Sequence, residues 1–121
     1  MSLARLEATE RDGVLVACLE GEIDLSNARS IRSSLLSQMR NDLLGLVVDL
    51  TDVGYLDSVG IQVIYQLHKQ LDGRRQEMRL VVPEGSTISK TLKLVGACSV
   101  MGIARTAELA LSDLCEREAA S

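Results

Sequence analysis

The strongest constraint on the fold of this chain is an alternation of short apolar runs with segments of helical period. The runs are Leu46–Leu50 and Leu80–Val82, and such runs are typical of strands covered on both faces. Each run is followed by a segment in which apolar residues recur every three or four positions, the period of a helix with one buried face. Strands joined through helices pair in parallel, because the helix returns the chain to the end at which the previous strand began. We therefore predict an α/β fold with a mostly parallel central sheet.

Four helices are predicted from the periodic segments. The first has Ser26 as its N-cap, the second runs from about Ser58 to Leu71, and the third is capped by Ser86 and ends at Gly96. A short strand near Met101 to Ala104 precedes the fourth. The positions predicted to face the core are, in chain order, Ala28, Ile31, Leu35, Met39, Ile61, Ile64, Leu67, Leu71, Ile88, Leu92, Val95, Ala107, Ala110, Leu111 and Leu114.

The chain opens with a predicted β-hairpin. Asp12-Gly13 is a two-residue turn signal between a strand around Leu3 to Thr9 and a second strand, Val14 to Glu20. The first strand mixes apolar and charged residues, which suits an edge. Gly21 to Asp24 is predicted to break the second strand, and Thr51 to Leu56 is predicted to be a loop.

Length and composition exclude several classes of protein. No linker or repeat interrupts the 121 residues, so we predict a single domain, 1–121, with its core at roughly 3–118. The net charge is −4, and the aromatic residues are two Tyr, which argues against a nucleic acid partner. The first twenty residues carry charges and no apolar run approaches the roughly 20 residues of a membrane span. A cytoplasmic protein without membrane insertion is expected.

The cysteines give no sign of a metal or redox site. Cys18, Cys98 and Cys115 have no paired spacing, and His68 is the only histidine, so we predict no metal and no cofactor. Cys18 alternates with Val14 and Val16 along one strand. We predict that all three cysteines are buried, reduced thiols that react slowly in the native protein.

Candidate functional residues lie where strands end, as is usual in parallel sheets. Gly21 to Asp24 follows one strand, and Asp49 to Gly60 follows another and carries Asp49, Asp52 and Asp57. Either Asp57 or Ser58 can cap the helix that begins there. A phosphate on Ser58 would meet the backbone amides of that helix start, but within a predicted acidic patch formed by the three aspartates.

These residues resemble a known family. The turn Gly21–Asp24, the segment Leu46–Val53 and the segment Leu56–Ile61 together are similar to the STAS-domain anti-anti-sigma factors, which antagonise bacterial anti-sigma factors. The similarity extends over nearly the whole chain and includes the order of elements. It implies a single STAS-like domain with an N-terminal hairpin and about four helices.

The resemblance implies a partner switch without catalysis by this chain. Ser58 matches the family's phosphoacceptor: the unphosphorylated form binds an anti-sigma factor that is also a serine protein kinase, phosphorylation releases it, and a serine phosphatase resets the cycle. Asp24, Asp57 and the start of the second helix match the docking surface. Val59 departs from the small residue usual after the serine. The chain is expected to be a monomer or weak dimer, and the predicted partner-binding residues are Glu22, Asp24, Asp57, Val59, Gly60, Ile61, Gln62 and Tyr65.

Other functions fit the sequence less well. A receiver domain would use Asp49, but Glu22 and Asp24 are not adjacent and no Lys follows the last predicted strand. A serine hydrolase needs a base beside its nucleophile, and His68 lies ten residues after Ser58 without a nucleophile elbow. The main alternative is within the resemblance, since small STAS proteins also serve as cytoplasmic accessory subunits of lipid-transport ABC complexes. The sequence leaves open whether Ile61 is a core residue or contacts the partner.

Overall fold

Strands and helices alternate after an N-terminal hairpin, as predicted from the sequence. A computed structural model describes residues 4–94, 96 and 102–120. The strands are β1 (Ala4–Arg11), β2 (Val14–Ile23), β3 (Gly45–Leu56), β4 (Glu77–Val81) and β5 (Gly102–Ala104). The helices are α1 (Ala28–Gln38), α2 (Ser58–Gly73), α3 (Thr87–Leu94) and α4 (Ala107–Ala120).

The five strands form one sheet in the order β1-β2-β3-β4-β5. β1 is antiparallel to β2, and every other neighbouring pair is parallel. The β1–β2 turn has Asp12 at φ 54° and Gly13 at φ 80°, the left-handed conformations that a two-residue hairpin turn requires. The predicted α/β fold, the hairpin and the edge position of the first strand are confirmed.

Helices cover both faces of the sheet. Side chains alternate between the faces of a strand, so Leu46 and Val48 face one side and Val47 faces the other. The larger core lies under α1, α2 and α3, and the smaller lies under α4. The predicted inward positions that are buried are Ala28, Leu35, Met39, Ile64, Leu67, Leu71, Ile88, Leu92, Ala110, Leu111 and Leu114.

Some predicted core positions have a different outcome. Ile31, Ile61 and Ala107 are partly buried and pack against the cores from their margins. Val95, and the predicted start of the last strand at Met101, lie outside the described residues. The cap of α3 is confirmed, because the Ser86 hydroxyl accepts a hydrogen bond from the Ser89 amide at 3.1 Å.

Two strands are longer than the sequence predicted. The predicted break at Gly21 and the predicted loop from Thr51 to Leu56 are both wrong, because β2 continues to Ile23 and β3 to Leu56. The two ends pair with each other in parallel, with register shifts after Cys18 and after Gly21. Gly21 has φ 97°, which permits this irregular pairing. Pairing between the two strand ends satisfies the backbone hydrogen bonds of these segments, although their side chains are typical of a loop.

The prediction that Cys18 is buried is wrong. Its side chain is exposed, because α4 covers Val14 and Val16 on this face of β2 but does not reach Cys18. Cys115 is half-buried, and Cys98 lies outside the described residues. Partial desolvation and the nearby carboxylate of Asp49 raise the pKa of the Cys18 thiol.

We expect a thiol reagent to label Cys18 in the folded protein. The rate at neutral pH should be lower than for an unstructured cysteine, since the raised pKa leaves less thiolate. Added salt should increase the rate by screening the neighbouring carboxylates. Timed alkylation followed by peptide mass spectrometry measures this, with Cys18→Ser as the control. A Cys18 that is labelled only on unfolding would contradict the structure.

Within the described residues, no helix combines the length and the apolar character needed to cross a membrane.

Candidate functional site

The candidate site lies where β2 and β3 end side by side. Ile23 and Leu56 are paired at the carboxyl ends of the two strands, and the Asp57 amide donates to the Ile23 carbonyl at 3.2 Å. The loop from Asp24 to Asn27 therefore lies against the start of α2. The structure brings together two segments that the sequence singled out separately, one around Asp24 and one around Asp57 and Ser58.

The carboxylate of Asp57 links these two segments. Its Oδ1 accepts a hydrogen bond from the Gly60 amide at 2.8 Å, which makes Asp57 the N-cap of α2. Its Oδ2 accepts from the Leu25 amide at 3.2 Å. Asp57 thus resolves the ambiguity over which residue caps the helix, and the hydroxyl of Ser58 is not used for that purpose.

The β2–α1 loop is organised by its own side chains. Oδ1 of Asp24 accepts from the Ser26 amide at 2.9 Å and from the Ser26 hydroxyl at 2.6 Å. The Asn27 side chain accepts from the Asp24 amide at 3.0 Å and donates to the Glu22 carbonyl at 2.8 Å. The predicted N-cap at Ser26 is wrong: Asn27 occupies that position without a side-chain cap, and the Ser26 hydroxyl bonds Asp24 instead.

The start of α2 presents one exposed hydroxyl. Ser58 is the first residue of the helix and is exposed, while Val59 and Ile61 are partly buried against the larger core. Further along the helix, Gln62 is exposed, and so is Tyr65, whose ring lies 5.4 Å from Nζ of Lys69. The exposed face of the helix start is therefore formed by Ser58, Gln62 and Tyr65.

Gly60 is buried, and the lack of a side chain has a structural cause. A Cβ at this position would lie 2.6 Å from Cδ1 of Leu56 and 3.0 Å from Cγ2 of Ile23. The first turn of α2 thus packs directly on the ends of β2 and β3. The close approach that the sequence suggested for Gly60 is made by the protein's own strands.

The predicted acidic patch of three aspartates is wrong. Asp49 lies on β3, eight residues before Asp57, which is roughly 25 Å of extended chain. Its carboxylate accepts from the amide and hydroxyl of Thr51 at 2.9 and 2.5 Å. Asp52 is also on β3, paired with Glu20. The misassigned loop caused the error, and the carboxylates at the helix start are those of Asp57 and Asp24.

Three residues of the site were missed by the sequence reasoning. Leu25, Ser26 and Tyr55 join Asp24 and Asp57 in lining a shallow depression of about 460 Å³. Leu25 is 65% exposed and Tyr55 is 51% exposed. A signal was present in the sequence, because Tyr55 is one of two aromatic residues and Leu25 is an apolar residue in a loop.

In the described part of the chain, His68 is too far from Ser58 to act as its general base. His68 lies ten residues further along α2, or about 15 Å along the helix axis, beyond hydrogen-bond reach of the hydroxyl. Among the described residues, no group of three or more His, Cys, Asp and Glu side chains is arranged to hold a metal ion.

Comparison with known proteins defines the family. The STAS domain model matches residues 5–110, so this chain belongs to the STAS-domain family. A protein of Bordetella bronchiseptica named as anti-sigma factor antagonist BtrV is 29% identical over 107 residues, covering 88% of this chain and 90% of its own length.

Solved structures show the same fold. An anti-sigma factor antagonist from Mycobacterium paratuberculosis superposes with a TM-score of 0.82 at 23% identity, covering 93% of this chain and 94% of that one. The anti-sigma factor antagonist SpoIIAA in its unphosphorylated form superposes with a TM-score of 0.75 at 21% identity, covering 94% and 97%. The structure of the Bacillus protein SpoIIAA in the phosphorylated form superposes with a TM-score of 0.67 at 20% identity, covering 93% of this chain and 99% of that one.

Proposed function

We propose that this protein is an anti-sigma factor antagonist controlled by phosphorylation of Ser58. The observation that carries the proposal is an exposed hydroxyl at the first position of α2, on a helix already capped by Asp57. The fold does not need this hydroxyl, so it is available for modification. The relative named as an anti-sigma factor antagonist and the neighbour solved in phosphorylated and unphosphorylated forms support the same function.

In the proposed cycle this chain is a binding partner and a substrate, not a catalyst. The unphosphorylated form binds an anti-sigma factor with serine kinase activity and so frees a sigma factor. The kinase transfers the γ-phosphoryl group of ATP to the Ser58 hydroxyl, releasing ADP, and a serine phosphatase later hydrolyses the ester. The cycle runs in the cytoplasm and needs no cofactor on this chain, which acts as a monomer or weak dimer.

Electrostatics explain why a phosphate would dissociate the complex. A phosphoserine carries about −1.5 to −2 charges and three hydrated oxygens. At position 58 it would stand beside the carboxylate of Asp57, with Asp24 in the adjoining loop. Docking would have to strip water from this dianion. This desolvation cost can supply a coupling free energy of about 3 kcal/mol between phosphorylation and partner binding. Such a coupling weakens binding by a factor of roughly 100.

The proposed docking surface has a direct and an indirect part. The exposed residues Glu22, Ser58, Gln62 and Tyr65 would contact the partner, together with the half-buried Asp24 and Asp57. Val59, Gly60 and Ile61 contribute chiefly by packing the helix start against the sheet, which fixes the position of the hydroxyl.

We expect Asp24→Ala to separate binding from stability. The substitution removes two hydrogen bonds from Ser26 in an exposed loop, so the free energy of unfolding should fall by only about 1 kcal/mol. Binding to the kinase should weaken clearly, because Asp24 lies on the proposed surface. Thermal melting and titration calorimetry measure the two effects. A large loss of stability with unchanged affinity would assign Asp24 to the fold alone.

The proposal is tested by incubating the purified protein with ATP and the anti-sigma factor kinase encoded in the source genome. We expect a gain of one phosphate in the intact mass and its location on Ser58 by peptide mapping. Ser58→Ala should remain unmodified, and Ser112→Ala, which removes an exposed hydroxyl of α4 away from the site, should be modified as fully as the wild type. No modification, with an ATPase subunit of a lipid transporter as the copurifying partner, would favour the alternative function.

A further inference from the structure

Two large apolar side chains remain exposed at the candidate site. Leu25 is 65% exposed, Tyr55 is 51% exposed, and both line the depression beside Asp57, which we call the Leu25–Tyr55 depression. Single exposed apolar residues are ordinary on a protein surface. A pair that shares one depression next to the residue preceding Ser58 is different, because it offers apolar area at the place where binding is proposed to be controlled.

The fold holds this pair in position before any partner arrives. The Leu25 amide is bonded to Asp57, and Tyr55 lies within β3, where it pairs with Glu22 of β2. The rest of the loop is fixed by the bonds between Asp24 and Ser26. A surface that is already ordered loses little conformational entropy on binding, so its apolar area contributes more fully to affinity.

The charges around the depression restrict what fits it. Both oxygens of Asp57 accept hydrogen bonds from backbone amides, and Oδ1 of Asp24 accepts two from Ser26. These donors stabilise the carboxylates without a cation from outside. No Lys or Arg is among the described residues that line the depression. An acidic partner group would therefore be repelled even in the unphosphorylated state.

The proposed direction of the switch argues against a cationic group opposite Ser58. A phosphate would attract an arginine or lysine there and would tighten the complex rather than release it. A neutral, apolar partner group is compatible both with the acidic depression and with release on phosphorylation. It is not repelled by the carboxylates, and it offers the new dianion no partner in exchange for lost water.

We propose that the Leu25–Tyr55 depression receives an aliphatic side chain of the anti-sigma factor kinase and that this contact anchors the complex. The inference rests on the partner switch proposed above and adds to it the chemistry of the contact. Phosphorylation of Ser58 then acts by placing a charge at the edge of an apolar contact.

The test uses the unphosphorylated protein and the purified kinase that modifies Ser58, with ADP present so that no phosphate is transferred. We expect Leu25→Ser and Tyr55→Ser each to raise the Kd by roughly ten- to thirty-fold. Tyr55→Phe keeps the ring and should raise the Kd much less than Tyr55→Ser does. Leu109→Ser is the matched control, because Leu109 is 56% exposed but lies on α4, over the other face of the sheet.

Salt dependence identifies the occupant. For an aliphatic occupant, Leu25→Lys and Leu25→Glu should raise the Kd to a similar extent at low and at high NaCl. A Kd that at low salt is smaller for Leu25→Glu than for Leu25→Lys, with the two values converging at high salt, would assign a cationic occupant and overturn the inference. Wild-type affinity in Leu25→Ser and Tyr55→Ser, with release by phosphorylation intact, would also overturn it while leaving the partner switch standing. A wild-type protein that does not bind the kinase at all would overturn both.

Discussion

Replacing Ser58 with alanine is expected to trap the complex with the kinase while leaving the fold intact. Asp57 caps α2 and Ser58 is exposed, so the free energy of unfolding should change by less than about 0.5 kcal/mol. The variant has no acceptor hydroxyl and should remain bound through prolonged incubation with ATP, whereas the wild type is released. Size-exclusion chromatography of the mixture over time measures the bound fraction.

The variant Ser58→Asp carries a negative charge and tests the opposite, phosphorylated state of the switch. It should fold as the wild type does and bind more weakly, although a single charge will weaken binding less than a phosphate does. Release of Ser58→Ala by ATP at the wild-type rate would show that the switch is at another residue.

Gly60→Ala is expected to be the most destabilising single-methyl change in the site. Its Cβ would lie 2.6 Å from Cδ1 of Leu56 and 3.2 Å from the carbonyl oxygen of Ile23, and both of these residues are buried. Alanine favours helices over glycine, but overpacking outweighs this gain, and we expect a net loss of about 2 kcal/mol. Urea denaturation monitored by circular dichroism measures the change.

Gly54→Ala is the matched control for Gly60→Ala. Gly54 is exposed on β3, and a Cβ there meets no atom within 4 Å. Replacing it should therefore leave stability nearly unchanged or raise it slightly by restricting the unfolded chain. Equal stability of the two variants would contradict the close packing of α2 on the strand ends.

The parts of the fold that follow from local chemistry could be predicted from the sequence. Asp12-Gly13 supplies the left-handed conformations of the hairpin turn, and the 3.6-residue period identifies α2 with Leu67 and Leu71 buried. Ser58 was singled out because the motif and the predicted helix start coincide, and the structure places it first in α2. These features depend on residues that are near one another in the chain.

The parts that were missed depend on tertiary contacts. Thr51 to Leu56 reads as a loop, and only pairing with β2 makes it a strand, which in turn moves Asp49 and Asp52 away from Ser58. Cys18 has the alternation of a buried residue, but the extent of α4 over the sheet decides its exposure. The Leu25–Tyr55 depression needs the β2–α1 loop to meet the end of β3, and no local pattern indicates that they do.

The central claim is that one phosphate on Ser58 switches the affinity of this surface. Titration calorimetry of the kinase with the unphosphorylated protein and with the enzymatically phosphorylated, purified protein, both in ADP, tests it most directly. We expect a Kd roughly 100-fold higher for the phosphorylated form, equivalent to about 3 kcal/mol. Equal Kd values for the two forms, with phosphate confirmed on Ser58 by mass spectrometry, would contradict the account.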